Sequence, residues 1–456
     1  MELRRIVTPG IGHFAYLIAD GGEAAVVDPR RDVDEYLAMA RRLGVRVSHV
    51  VETHRQEDFV MGSAHLAERT GARIVNGQHE LFGHGDLRLS DGDSFRVGGL
   101  RIEALHTPGH TPESMCYAVY DEASSGAWGV FTGDALFFGD TGRTDLTDAD
   151  RTAENAGLLH DAVHEKLAPL GDGARVLPAH GPGSVCGSGM AERPSSTIGA
   201  ERQYNKVFTL SREAFMRAKE GERIPRPPYF RHMEEINLEG GRPPVRDPDD
   251  VALVGVDELA QALEDAMCVD TREPEGFAGG HIRDAFSIWL GGLPVFGGWL
   301  AQPDTPIYLV GDRDDDVATA FTHLSRIGID GVRGALAGGL GAWRASGRPM
   351  ARSGVIFPRE LAERREEMQI LDVREADEFA SGHIPGARHV YVGHLQERLG
   401  GLDLDPQETV AVTCGVGHRA GVAVSILLRA GYSDVRNLLG GMSAWQACEL
   451  PTEARR

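Results

Sequence analysis

Several things are scarce in this chain of 456 residues, and each scarcity excludes something. No apolar run approaches the roughly 18 residues that a membrane-spanning helix requires. The N-terminal stretch "MELRRIVTPGIGHFAYLIAD" has no apolar core of a secretory leader and no small-residue cleavage site, so a cytoplasmic location is expected. Cysteines are few, odd in number and far apart (Cys116, Cys186, Cys268, Cys414 and Cys448). That pattern is a poor disulfide framework and fits a reducing compartment, where a single thiol can be reactive. Lysine occurs only at Lys166, Lys206 and Lys219, and the formal net charge is −21. A surface this acidic argues against nucleic acid or an anionic membrane as the main partner.

What is present divides into parts. A chain this long exceeds one ordinary hydrophobic core, and about three domains are expected. Up to about residue 225, short apolar runs alternate with amphipathic ones. "FAYLIAD" and "EAAVVDP" read as paired strands around Gly21-Gly22, and "DVDEYLAMARRLG" reads as a helix stopped by Gly44. Residues 226–250 are rich in Pro, Gly and charge and read as a linker. Beyond them lies an internal repeat. "VDTREPEGFAGGHIRDA" matches "LDVREADEFASGHIPGA", with Asp270 to Asp372 and His281 to His383 both 102 residues apart. "GGLGAW" and "GGMSAW" keep the same offset. This is a duplicated domain, 251–351 and 352–456, in which alternating strands and helices predict two small doubly wound α/β sheets.

In the second copy the apolar run Val410–Thr413 ends at Cys414, and the loop Gly415-Val416-Gly417-His418-Arg419 leads into an apolar helix. A thiol at a strand end, over backbone N–H groups and a helix N-terminus, is favoured as thiolate and can carry a persulfide or hold an oxyanion, with Arg419 adding positive charge. The bland alternative is a buried structural cysteine. With the "DVRE", "GHIPGA" and "GGMSAW" segments, this loop resembles the rhodanese sulfurtransferase family, and the resemblance implies that Cys414 carries sulfane sulfur, with Gly415, Val416, Gly417 and His418 lining the substrate site. In the first copy Gly311 falls opposite Cys414, and Asp314, Asp315 and Asp316 fall opposite Gly417, His418 and Arg419. Partly buried carboxylates there would repel an anion, so this copy is expected to be catalytically silent.

The N-terminal part offers His54 in "ETHRQEDF", His110 in "HTPGHTPES", Asp134 in "FTGDALFFGDTGRTDL" and His180 in "LPAHGPGS", each after an apolar strand. Their order and content, over about residues 7–190, resemble the metallo-β-lactamase fold superfamily, which implies an αββα sandwich holding metal at one edge. Hydrolases of that superfamily fill two zinc sites with His-x-His-x-Asp-His. Here Gln56 and Phe59 replace two of those histidines, so the second position keeps only Asp58 and His180 plus a possible bridge from Asp134. Two-metal hydrolysis needs both ions. His54, His110 and Asp134 remain as the 2-His-1-carboxylate set typical of non-haem iron oxygenases.

Within the superfamily this arrangement is similar to persulfide dioxygenases, and their fusion to rhodanese domains is a known architecture. The resemblance implies one Fe(II) per chain (zinc being possible in protein as purified), and a low-molecular-weight persulfide such as glutathione persulfide, O₂ and sulfite as small-molecule partners. It also implies pairing of copies as a dimer or tetramer. By the same resemblance Arg143 holds a substrate carboxylate, with a surface ion pair as the alternative. Cys186, six residues after His180, is a persulfide acceptor or else a plain loop thiol. Asp58 is expected to orient a ligand histidine, His106 to support the site without ligating, and His65, Cys116 and Cys448 to be structural. Two rival functions stay open: a zinc thioester hydrolase of the glyoxalase II type, and a non-catalytic sulfur-relay protein with a vestigial metal site.

Overall fold

A computed structural model describes residues 1–121, 126–187 and 189–454. Two compact units are present, one of Met1–Pro244 with Arg326–Gly328 and one of Val245–Ser325 with Ile329–Arg456. Among the described residues no helix is long and apolar enough to cross a membrane.

The first unit is an αββα sandwich. One six-stranded sheet runs in the order Glu2–Thr8, His13–Asp20, Glu23–Val27, Arg46–Val51, Arg73–Gly77 and Leu87–Leu89. The other runs Ser196–Thr197, Arg175–Pro178, Gly129–Gly133, Met115–Tyr120, Leu100–His106 and Ser94–Val97. The hairpin expected at Gly21-Gly22 is there: both glycines have positive φ (55° and 84°), which the twist of a two-residue turn requires. The helix Asp34–Leu43 ends on left-handed Gly44 (φ 67°), a conformation that suits a residue without Cβ. Val51, Val75, Ile102, Tyr117 and Phe131 fill the space between the sheets. Tyr36, Ala40 and Leu66 seat helices on one outer face, and Ala156, Leu159 and Phe215 seat helices on the other.

The segment read as a linker is not bare. It carries the helix Phe230–Asn237, whose Phe230, Met233 and Asn237 are buried. The Asn237 amide donates to the carbonyls of Gln56 (2.6 Å) and Phe59 (2.8 Å) and accepts from Met61 N–H (2.8 Å). A polar side chain thus pins the loop that follows His54, which a composition-based reading of the segment does not reveal.

The second unit holds two parallel five-stranded sheets of identical order: Leu253–Val254, Val332–Leu336, Ile307–Val310, Met267–Asp270, Phe286–Ser287, and Gly354–Ile356, Val435–Leu438, Val410–Thr413, Gln369–Asp372, Arg388–His389. The shared motifs build the scaffold. Arg374 forks onto Asp372 and donates to the Gly382 carbonyl, as Arg272 does with Asp270 and Gly280. His383 stacks on Phe379 and His281 on Phe277, each at 3.7 Å between ring centres.

Candidate metal centre and sulfur-transfer loop

All four strands that precede the sequence-selected ligands end at one edge of the sandwich. His54 follows Arg46–Val51, His110 follows Leu100–His106, Asp134 follows Gly129–Gly133 and His180 follows Arg175–Pro178. Residues Glu52 to Asp58 are all buried despite their polarity.

His54, His110 and Asp134 converge, with their ligand atoms all within 4.8 Å of one another. Each imidazole is held in the tautomer that leaves Nε2 with a lone pair. Thr53 Oγ1 gives its proton to Asp28 (2.8 Å) and so accepts from His54 Nδ1 (2.9 Å). His110 Nδ1 donates to the Arg143 carbonyl (2.8 Å). That carbonyl reaches the ring because residue 142 is glycine: a Cβ there would lie 2.8 Å from His110 Nδ1. Fixing one ring nitrogen to aim the other is the usual support of a metal ligand. The Nε2 atoms of both histidines and Asp134 Oδ2 have no hydrogen-bond partner among the described residues. Buried polar atoms are rarely left so, and their convergence fits a cation. Burial keeps His54 neutral, taking it down to about 3. Burial also depresses His110, but Asp134 and Glu57 outweigh it and bring it to about 9. The carboxylates call for positive charge at this point, and a divalent ion answers that demand more fully than a proton on His110.

Asp134 also faces the other way. Its Oδ1 accepts from His180 Nδ1 (2.8 Å), and His180 Nε2 lies 3.0 Å from Asp58 Oδ2. Burial opposes charge on His180, yet Asp134 and Asp58 hold its pKa well above the ordinary value. Asp58, His180 and Cys186 form a second buried trio with ligand atoms within 4.8 Å, and burial pushes the Cys186 thiol up. The position where the sequence lacks a histidine is filled by Phe59, whose ring packs on His13 at 4.1 Å. Gln56 is buried, and its amide nitrogen comes only to 3.5 Å from His54 Nδ1.

Arg143 corrects an expectation. It is neither a surface ion pair nor free for a substrate carboxylate. It is 1 % exposed, and its five N–H donors have five acceptors: both oxygens of Asp145 (2.7 and 2.8 Å) and the carbonyls of Val185, Ile224 and Pro225 (3.0–3.3 Å). The residue ties three loop segments together beneath His110. Among the lesser candidates, His106 Nε2 donates to the Pro112 carbonyl and stays out of the cluster, His65 lies in the helix Ser63–Thr70, and Cys116 is a buried thiol against Thr107, raised by burial to about 12.

Cys414 follows the strand Val410–Thr413 and is 1 % exposed. Gly417, in the left-handed region (φ 119°), turns its N–H onto Cys414 Sγ at 3.1 Å. Arg419 does not lend the loop unbalanced charge, because Glu378 takes it bidentately (2.6 and 2.7 Å). The half-exposed His418 stacks on Trp289 at 4.8 Å and bonds Glu273 (2.9 Å), both from the first repeat, and Val416 stands 53 % exposed at the loop tip. The first copy aligns as the sequence predicts: the Gly311 carbonyl accepts from Leu340 N–H as that of Cys414 accepts from Met442 N–H. Its carboxylates are solvated, however. Asp315 is 79 % exposed and paired with Arg313, so it does not supply the buried repulsion expected there.

Sequence reasoning missed Glu57, Glu113, His13 and Glu378. A run of polar residues directly after an apolar strand was the available sign for Glu57.

Comparison with known proteins follows the same division. The metallo-β-lactamase superfamily model matches residues 8–180, and the rhodanese-like domain model matches 255–346 and 357–448. The chain is 29% identical over 248 residues to the human mitochondrial persulfide dioxygenase ETHE1, covering 52% of this chain and 88% of that one. It is 28% identical over 294 residues to a probable metallo-hydrolase of Burkholderia pseudomallei, covering 55% of this chain and 96% of that one. A metallo-β-lactamase structure from Staphylococcus aureus superposes with a TM-score of 0.66 at 28% identity, over 74% of this chain and 98% of the other. The chain therefore carries an N-terminal metallo-β-lactamase-superfamily domain, similar to that of ETHE1, and two C-terminal rhodanese-like domains, and it is an enzyme.

Proposed function

We propose that this protein is a mononuclear non-haem iron persulfide dioxygenase joined to a rhodanese-type sulfurtransferase. The observation that carries the reading is the cluster of unpartnered ligand atoms on His54, His110 and Asp134, beside a second position where Phe59 stands in place of a histidine. These residues would hold the ion, which when bound supplies activation of O₂ next to the substrate sulfur. His110 is kept in place by the Arg143 carbonyl, and Asp134 by His180. His180, between Asp58 and Asp134, holds a proton where a hydrolase holds a second metal. Phe59 and His13 wall that side against water. Overall, R-S-SH, O₂ and water become R-SH, sulfite and two protons.

At the other centre the Cys414 thiolate attacks the outer sulfur of a persulfide donor. The donor S–S bond breaks, the donor thiol departs with the proton, and a Cys414 persulfide remains, to which the Gly417 N–H is already directed. Passing that sulfur to sulfite releases thiosulfate and restores the thiolate. Carrying both centres on one chain raises the effective concentration of the shared intermediate.

The test is O₂ uptake and sulfite release by iron-loaded protein given glutathione persulfide. His110→Ala abolishes uptake and Cys414→Ser retains it. About one iron per chain is expected from elemental analysis. Two tightly bound zincs with no O₂ uptake would overturn the proposal in favour of a hydrolase, and absence of any bound metal would favour a sulfur relay.

A further inference from the structure

A histidine outside the metal cluster joins the two ends of the loop that carries His54. The His84 side chain is 13 % exposed, and both of its ring nitrogens face acceptors. Nε2 lies 2.9 and 2.8 Å from the two oxygens of Glu52, a fully buried carboxylate just before His54. Nδ1 lies 2.9 Å from the carbonyl of Leu238, the residue after the helix Phe230–Asn237. A carbonyl cannot donate, and Glu52 Oε2 already accepts from the Asn76 amide (3.0 Å). Making both contacts therefore takes an N–H on each ring nitrogen, which only the imidazolium has. A neutral ring would turn a lone pair onto either the carboxylate or the carbonyl.

Leu238 adjoins Asn237, whose amide holds the Gln56 and Phe59 carbonyls and the Met61 N–H. The same turn takes the Gly83 N–H on the Leu238 carbonyl (2.9 Å) and the Ala64 N–H on the Gly240 carbonyl (3.0 Å). Gly240, left-handed at φ 89°, lets the turn lie against the ring, because a Cβ there would stand 3.1 Å from His84 Cδ2. Glu52 and Glu239 are the charged groups that face the imidazole. Burial opposes its charge, but the bond to Glu52, the Glu52 charge, the Leu238 carbonyl and the Glu239 charge outweigh burial and hold His84 above the ordinary histidine value. We infer that His84 is a positioning residue for the His54 loop: its proton clamps the turn 238–241 to Glu52, and loss of that proton frees the turn and, through Asn237, residues 56–61. This adds a pH-dependent support to the proposed function and rests on that reading only in taking the loop to serve the metal centre. A histidine raised in the fold stabilises fully below its unfolded value of about 6.5 and ceases to do so as pH rises through the higher folded value. The clamp is therefore complete in mild acid and released on the alkaline side.

The experiment is hydrogen–deuterium exchange of the full-length chain, read by mass spectrometry from about pH 6 to about pH 9 and corrected for the intrinsic pH dependence of exchange. Segments 56–64, 82–85 and 236–241 are expected to lose protection together as pH rises, by at least about 10-fold, the factor that one hydrogen bond to a charged group represents. His84→Gln keeps a polar side chain without the charge, and it is expected to show the lowered protection already at the acid end, with no further fall. His164→Gln removes a histidine bond to the Val207 carbonyl elsewhere in the same unit and is expected to keep the wild-type profile. Wild-type protection that is constant over this range overturns the inference. So does a fall confined to 82–85 and 236–241 that leaves 56–64 untouched, or a His84→Gln chain as protected as wild type at the acid end. Should the variant not fold, the wild-type profile alone decides. The readout needs no turnover, so a chain that shows the profile and consumes no O₂ sinks the proposed function and leaves the clamp standing.

Discussion

Arg143 offers the sharpest test of how the metal domain is held. Replacing it with alanine removes the donors to three backbone carbonyls, those of Val185, Ile224 and Pro225, and to Asp145. Asp145 is about one-third exposed and can turn to water, so its loss counts for little. The carbonyls are the larger cost, at ~1–3 kcal/mol for each group left unsatisfied, with incomplete additivity. With three such carbonyls and incomplete additivity, we expect a loss of about 3–5 kcal/mol. For a domain of ~150–250 residues each kcal/mol lowers the midpoint by about 2–4 °C, which gives a fall of about 6–20 °C in the transition of the N-terminal unit. Lysine recovers only part of it, having three donors where five are used and no planar fork. Calorimetry on the metal-loaded chain measures the shift. A substrate-anchoring arginine would behave in the opposite way, raising KM for the persulfide with little change in melting. If Arg143→Ala melts within about 2 °C of the wild type, where the magnitude worked above requires at least three times that, the structural account of Arg143 is wrong.

Two further outcomes are expected. Burial raises the Glu378 carboxyl, but its hydrogen bonds to Arg419 and the Arg419 charge prevail and hold it below the ordinary glutamate range. A depressed carboxyl stabilises the fold above its unfolded value of about 4.3, and that contribution is lost as pH falls through the lower folded value. The melting advantage of wild type over Glu378→Gln should therefore be full at neutral pH and shrink only below about pH 4; an advantage that persists unchanged to pH ~3 contradicts this. Removing metal with a chelator should lower the transition of the N-terminal unit alone, and ion restored to 100 times its Kd should return about 2.7 kcal/mol. A chelator that leaves both calorimetric transitions in place would show that the trio is not a metal site.

The letters of "THRQEDF" show which histidines are missing from the loop, but not which of its polar side chains turn inward. Substitution of Phe59 and Gln56 for histidine was visible as letters, because a ligand is recognised by its chemistry. The burial of Glu57 shows in the letters only as one polar residue in a polar run after an apolar strand, and that run does not say which of its side chains turn inward. The same holds for Arg143, whose five acceptors come from residues 145, 185, 224 and 225. No local pattern records that those segments meet.

By itself the sequence determined the fold class, the duplication at a constant offset, the thiol at the end of Val410–Thr413 and the convergence of His54, His110 and Asp134. Strand periodicity, turn glycines and motif spacing are local or repeat along the chain, so one dimension suffices to read them. The tertiary structure alone decided which polar residues are buried without partners, which arginines are already committed, and that Trp289 and Glu273 of the thiol-less copy meet His418 of the other. Those facts depend on distances between segments far apart in the chain. Burial and electrostatics are set by such distances, and they separate a residue that holds an ion from one that only holds the fold.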